Sequence, residues 1–145
     1  KLTYTTSNKA VATVDAAGKV TVKGPGVAKI TVKAAATTDY KAASKTVTVT
    51  VVPKKQSISL INKIKKQLTI KWKKNTKASG YQVVYSTNKK FTGKKTVRKA
   101  KTTISYKIKG LKKGKKYYVK VRSYKTVNGK RIYGAYSTAK KATIK

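Results

Sequence analysis

The sequence predicts an all-β protein made of two antiparallel sandwiches in tandem. Apolar and polar residues alternate one by one in several short segments, and these segments are rich in Val, Ile, Thr and Tyr. Gly, Asn, Lys and Ser separate the segments, and no stretch has the period of an amphipathic helix. Short strands with turn residues between them are typical of antiparallel sandwiches, whereas parallel sheets need long crossovers.

The predicted strands of the first half lie at 11–14, 20–22, 27–32 and 46–52. Asp15 opens the turn after the first of them, where its carboxylate can accept hydrogen bonds from turn amides and Gly18 can take a positive φ. Asp39 lies in a polar connection, and we expect it to be solvated or to stabilise a turn. Both acids of the chain therefore have structural interpretations.

The second half repeats this alternation at 68–72, 81–85, 104–108 and 117–124. We expect a seven-stranded sandwich over residues 55–145. Its predicted buried side chains are Trp72, Tyr81, Val83, Ile108, Leu111, Tyr117, Val119 and Val121.

The stretch GLKKGKKYYVKVRSY, residues 110–124, combines a basic turn with a strand. Side chains alternate across a strand, so the inward positions of Tyr117, Val119 and Val121 place the intervening residues on the outer face. Together with the turn lysines, these outward residues are the candidate contacts for a polyanion or a glycan: Lys112, Lys113, Lys115, Lys116, Tyr118, Lys120, Arg122 and Tyr124.

Charge is distributed unevenly along the chain. The 145 residues include 38 Lys and Arg against two Asp, a formal net charge of +36. Residues 1–53 contain eight Lys and both Asp, so residues 54–145 contain the other 30 basic residues and no acid. The change occurs at VVPKKQS, where Val52-Pro53 ends an apolar alternation. We therefore predict one domain at 1–53 and a second at 54–145.

The composition argues against enzyme activity and against a bound cofactor. General acid–base catalysis needs a group that titrates near neutrality, and the chain has no His, Cys or Glu. Two Asp residues far apart in the sequence do not make a metal site, and no glycine-rich phosphate loop is present. No apolar run is long enough for a membrane span.

Several motifs of the second half resemble a fibronectin type III domain. GLKKGKKYYVKV is similar to the corner between strands E and F of that family, with Leu111 and Tyr117 at the corner positions. Trp72 matches the core tryptophan of strand B, and YGAYS at 133–137 resembles the exit toward strand G. The resemblance covers about residues 55–145 and implies structural core roles for Trp72, Leu111 and Tyr117, with the Tyr117 hydroxyl bonded to the corner backbone.

The first half resembles a bacterial immunoglobulin-like domain of group 2. The resemblance depends on Ser7-Asn8, on VATVD at 11–15, on Gly18 and on Gly26 before Ile30. It implies two tandem immunoglobulin-like sandwiches, and since such domains have two more strands before Tyr4, we expect the first to be incomplete at its N-terminus. Arrays of these modules resemble parts of secreted or wall-associated Gram-positive proteins, which implies an extracellular monomeric segment.

Three functions remain open on the sequence alone. The charge predicts a non-catalytic spacer that holds anionic cell-wall polymer, because a polyanion would offset the self-repulsion of so many cations. Exposed tyrosines such as Tyr118, Tyr124, Tyr133 and Tyr136 could instead stack on sugar rings. Basic residues next to tyrosines could also bind nucleic acid, and we expect salt-sensitive, non-specific DNA binding in vitro.

Overall fold

The computed structural model describes residues 1–145, in thirteen strands and no helix, and confirms the predicted all-β class. The chain divides into two compact units, Lys1–Val52 and Pro53–Lys145. We describe each unit by itself. No helix is present that has the length and apolar character needed to cross a membrane.

The first unit contains five strands in two antiparallel sheets. Strands β1, β4 and β5 pair in the order β1-β4-β5, and β2 pairs with β3. Their bounds are β1 Leu2–Thr6, β2 Ala12–Val14, β3 Val20–Val22, β4 Gly26–Ala34 and β5 Ala43–Val51. The cluster of buried residues is small, since it consists of Val11, Ala12 and Ala28 with Val51 packed against it.

The turn after β2 forms as its residues predict. The Asp15 carboxylate accepts hydrogen bonds from the amides of Ala17 at 3.0 Å and Lys19 at 2.9 Å. Gly18 has a φ of 83°, which an L side chain rarely adopts. Asp15 therefore stabilises the hairpin between β2 and β3.

The second unit is a sandwich of a three-stranded and a five-stranded sheet. The smaller sheet has the order β10-β7-β6, and the larger has β12-β11-β8-β9 with β13 also paired to β11. The bounds are β6 Ile58–Ile61, β7 Leu68–Trp72, β8 Gly80–Ser86, β9 Lys95–Ala100, β10 Ser105–Ile108, β11 Lys116–Val127, β12 Lys130–Tyr133 and β13 Lys140–Thr143.

The unit has eight strands, so the expected number of seven was wrong by one. The reason is the length of β11, whose twelve residues pair with two strands along the same edge. Lys116–Val119 pair with β13 and Tyr124–Val127 pair with β12. Between these two strands the Gly134 amide donates to the Ser123 carbonyl at 3.0 Å, and any Cβ at Gly134 would collide with the Pro53 carbonyl oxygen. The glycine thereby lets the chain pass close to the start of this unit.

One core cluster lies between the two sheets of the second unit. It includes Trp72, which is 6% exposed, and the Trp72 and Tyr81 rings pack with their centres 5.4 Å apart. The complete cluster is Ile58, Leu68, Ile70, Trp72, Tyr81, Val83, Tyr85, Ile108, Leu111, Val119, Val121 and Ile144. Seven of the eight predicted buried residues belong to it.

Tyr117 is the exception, because it is only partly buried at the margin of this cluster. It lies at the start of β11, directly after the exposed corner residues 112–116. The expected corner bond is long, since the Lys112 amide lies 3.5 Å from the Tyr117 hydroxyl. The better hydrogen bond belongs to Tyr81, which is fully buried and whose hydroxyl accepts from the Asn75 amide at 2.6 Å.

Candidate anion-binding surface

The outer face of β11 carries four of the eight predicted contact residues. Val119 and Val121 are fully buried on the inner face, whereas Lys120 and Arg122, which follow them in alternation, are half-buried on the outer face. Gln82 lies directly opposite Arg122 on β8. The alternation read from the sequence therefore places Tyr118, Lys120, Arg122 and Tyr124 on one side of the sheet.

Cations and aromatic rings alternate on this face and form what we call the cation–aromatic ladder. Lys120 Nζ lies 4.1 Å from the centre of the Phe91 ring and 4.4 Å from that of Tyr136. Arg122 Cζ lies 4.3 Å from the Tyr136 ring and 3.9 Å from the Tyr133 ring. The ladder comprises, in spatial order, Phe91, Lys120, Tyr136, Arg122, Tyr133, Tyr124 and Arg131.

The ladder continues from Tyr133 to the hairpin between β11 and β12. The rings of Tyr124 and Tyr133, which are opposite one another on the two strands, meet edge to face with centres 5.7 Å apart. Arg131 Cζ lies 5.5 Å from the Tyr124 ring. Each such contact contributes about 0.5–1 kcal/mol at an exposed site, so the set stiffens the outer face of β11 and β12.

Gln82 ties the centre of the ladder to the sheet. Its Oε1 accepts a hydrogen bond from Arg122 Nε at 2.7 Å and another from the Tyr136 hydroxyl at 3.0 Å. Gln82 is 7% exposed, so both bonds are shielded from water on one side. A guanidinium held in this way keeps its charge at a defined position on the surface.

The electrostatic environment of the ladder is strongly positive. Burial lowers the pKa of Lys120, and the positive charges of Lys94 and Arg122 lower it further. No carboxylate side chain exists between residues 54 and 145 to compensate these charges. An external anion would therefore relieve repulsion here that the unit cannot relieve with its own side chains.

The four corner lysines form a separate group from the ladder. Lys112, Lys113 and Lys115 lie in the exposed turn around Gly114, and Lys116 begins β11. Backbone hydrogen bonds link this turn to Ile144 near the C-terminus. From Lys116 to Tyr124 a strand rises by about 25 Å at roughly 3.3 Å per residue. The eight predicted contact residues thus do not converge on a single site.

The geometry weighs against the alternative of sugar stacking at three of the four candidate tyrosines. Tyr124, Tyr133 and Tyr136 are half-buried, and each has a cation of this chain over its ring. A sugar would have to displace these cations from the ring faces they cover. Sequence reasoning missed Phe91 and Gln82 as members of this surface. Phe91 is the only Phe of the chain, but nothing in its sequence position shows that it meets Lys120.

Replacing Tyr136 tests the contribution of the ladder to stability. We expect Tyr136→Leu to lower the free energy of unfolding by about 1 kcal/mol, because it removes two cation–π contacts. Tyr136→Phe is the matched control, since it keeps the ring and leaves Gln82 bonded to Arg122. The measurement is urea denaturation of both variants. Equal losses of unfolding free energy would show that the ring contacts contribute nothing to stability.

Comparison with known families matches the two units separately. Residues 52–138 match the family model of the fibronectin type III domain, and residues 1–37 match that of the intimin immunoglobulin-like domain. The first match covers more than half of the chain, so the chain belongs to the fibronectin type III family. Both resemblances predicted from the motifs are confirmed. Comparison with curated proteins gave no match.

Solved structures share the fold at low sequence identity. The sixth fibronectin type III domain of human fibronectin type III domain containing protein 3 is 16% identical, with a TM-score of 0.54 over 66% of this chain and 89% of that one. The chicken CNTN1 FN1-FN3 domains are 18% identical, with a TM-score of 0.56, over 88% of this chain. The match covers 47% of the chicken chain, so this chain spans about half its length. A redesigned β-sandwich protein is 13% identical, with a TM-score of 0.51 over 63% of this chain and 94% of that one.

These relationships define the class of protein. Immunoglobulin-like and fibronectin type III domains are generally non-catalytic scaffold and binding modules, and this pair is typical of extracellular or surface proteins. The likeness to the solved structures establishes the sandwich fold. It establishes the fold alone, because the sequence identity is low.

Proposed function

We propose that the chain is a non-catalytic spacer and anchoring segment of a larger secreted or wall-associated bacterial surface protein. In this proposal the domains are residues 1–53 and 54–145, and the second holds anionic cell-wall polymer through distributed positive charge. The observation that carries the proposal is the presence of 30 basic residues and no carboxylate side chain in residues 54–145.

The placement of these charges supports distributed binding. Exposed basic side chains occur on the edge strand β9, where Lys95 and Arg98 are exposed, and on β13, where Lys140 and Lys141 are exposed. Others lie in the corner turn and on the ladder face. Lysines on edge strands also prevent pairing with other chains, but preventing such pairing does not require so large an excess of basic over acidic residues. A polyanion that lies along the unit can contact several of these groups at once.

The test is sedimentation of the 145-residue chain with purified Gram-positive cell walls across a salt series. We expect binding to weaken steeply as salt is added, since contacts between exposed charges are screened beyond a Debye length of about 8 Å at physiological ionic strength. Binding should also fall when teichoic acid is removed from the walls. Unchanged sedimentation after its removal would refute the charge proposal and would favour recognition of neutral glycan.

A further inference from the structure

Two short segments of the second unit line an open cavity with a volume of about 380 Å³. One segment is residues 54–57, immediately before β6, and the other is residues 73–77, immediately after β7. Because β6 and β7 are antiparallel neighbours, the start of one strand lies beside the end of the other. We call this cavity the lysine cleft, since five of its nine lining residues are lysines: Lys54, Lys55, Lys73, Lys74 and Lys77.

The first wall of the lysine cleft is fixed to the interior of the sandwich. The Lys54 carbonyl oxygen accepts hydrogen bonds from Ser123 Oγ and from Gln56 Nε2, both at 3.2 Å. Ser123 is fully buried on β11 and Gln56 is 7% exposed. The backbone that presents Lys54 and Lys55 is therefore held in place without the help of their ammonium groups.

The second wall is fixed in a similar way. The Asn75 amide donates to the hydroxyl of the fully buried Tyr81 at 2.6 Å. Asn75 Oδ1 then accepts from the Lys77 amide at 3.1 Å, and the Asn75 carbonyl accepts from the Ala78 amide at 3.1 Å. This turn is anchored at its centre, so both walls keep their shape before a ligand arrives, which lowers the entropic cost of binding.

The chemistry of the lining restricts the ligand. The other four lining residues are Gln56, Ser57, Asn75 and Thr76, so the cleft has no carboxylate and no aromatic ring. Concave sites with one sign of charge concentrate the field and attract counter-ions. Sequence-tolerant binding of nucleic acid uses aromatic rings on which the bases stack, and this cleft offers none. Its volume lies near the lower end of the range for ligand pockets, about 300–1,000 Å³.

We infer that the lysine cleft is a localised binding site for a slender phosphodiester chain of the polyol-phosphate type. The ammonium groups would bind the non-bridging phosphate oxygens as point charges, and the hydroxyl and amide groups would bind the hydroxyls between phosphates. The inference rests on the proposed function and narrows it, because it places the tightest contact at one end of the second unit.

The corner lysines provide a matched control at the opposite end of β11. The segment 73–79 lies near the end of this strand, because the Ser79 amide donates to the Tyr124 carbonyl at 2.8 Å. The corner turn precedes Lys116 at the start of the strand. One variant reverses Lys54, Lys55, Lys73 and Lys74 to Glu, and the other reverses Lys112, Lys113, Lys115 and Lys116 to Glu. Both variants have the same net charge, so non-specific attraction is equal in the two.

The experiment measures the affinity of each 145-residue variant for a fluorescent glycerol-phosphate oligomer by anisotropy at physiological salt. We expect the cleft variant to bind about tenfold more weakly or worse, and the corner variant to lose no more than about threefold. Equal losses of affinity in both variants would overturn the assignment of the lysine cleft as the binding site and would leave the proposal of distributed charge in place. No loss in either would overturn both proposals.

Two further measurements distinguish polyol-phosphate binding from nucleic-acid binding, and a lost binding site from an unfolded variant. An oligothymidylate of equal charge should bind the unmodified chain more weakly than the glycerol-phosphate oligomer, and equal or tighter binding would overturn the polyol-phosphate assignment in favour of nucleic acid. Urea denaturation of each variant checks folding. If the charge-reversed cleft variant is unfolded, Lys→Gln at the same four positions replaces it, and an unchanged affinity of that folded variant would overturn the cleft.

Discussion

Ile70→Ala is expected to lower the free energy of unfolding of the second unit by about 2–5 kcal/mol. Ile70 lies on β7, the central strand of the smaller sheet, and its side chain is fully buried between the two sheets. Its truncation removes apolar contacts and leaves a cavity that a close-packed interior cannot fill. This loss is a large fraction of the total stability of a typical domain, about 5–15 kcal/mol.

Trp72 makes the measurement selective for this unit, because it is the only Trp of the chain and belongs to the same core cluster as Ile70. Urea denaturation followed by Trp72 fluorescence therefore reports the second unit alone. Ile104→Ala is the matched control, since this side chain is 51% exposed and its loss should change stability by no more than about 0.5 kcal/mol. Similar midpoints for the two variants would mean that the assigned core is wrong.

Tyr81→Phe is expected to cost about 1–3 kcal/mol, because it leaves the Asn75 amide without its partner. The ring itself stays, so the contact between residue 81 and Trp72 is conserved and the change isolates the hydroxyl. The substitution should also loosen the turn at 73–77, which forms one wall of the lysine cleft. Urea denaturation measures the first effect, and the affinity for the glycerol-phosphate oligomer measures the second.

Tyr117→Phe is the comparison for this prediction. Its hydroxyl lies 3.5 Å from the amide of Lys112, which is exposed, so water can replace the bond. We expect a loss below about 0.5 kcal/mol. A larger loss for Tyr117→Phe than for Tyr81→Phe would reverse the assignment and restore the corner tyrosine to the role that its family resemblance implies.

The hydrogen bonds of Tyr81 and Tyr117 show that the corner motif predicts the position of a tyrosine but not the strength of its hydrogen bond. The corner motif correctly placed Leu111 in the core and Tyr117 beside the turn. The strength of the bond depends on how far the corner closes over the tyrosine, and this depends on the packing of strands that are distant in sequence. No local pattern marks Tyr81 as the better-bonded tyrosine, because its partner Asn75 lies in a loop whose shape the sequence does not reveal.

The sequence by itself determined the central strands, their inward faces and the charge. Strands β7 and β11 are rich in aliphatic and aromatic residues, and their alternation alone separates the buried positions from the less buried ones. Strand β8 departs from this alternation, since all seven of its residues are buried. The uneven distribution of Lys and Asp likewise needs no coordinates, and it is the basis of the proposed function.

Only the tertiary structure decided the edge strands and the sites. Strands β9 and β13 are rich in basic residues, so they have little intrinsic strand signal and form because a central strand offers them backbone partners. The link at Lys54 and Lys55 meets the loop at Lys73 and Lys74 only because antiparallel pairing of β6 and β7 brings them together. The rings of Phe91 and Tyr136, which lie in loops, likewise contact Lys120 from positions distant in the chain. Contacts between residues distant in the chain depend on strand order and register, which local patterns do not encode.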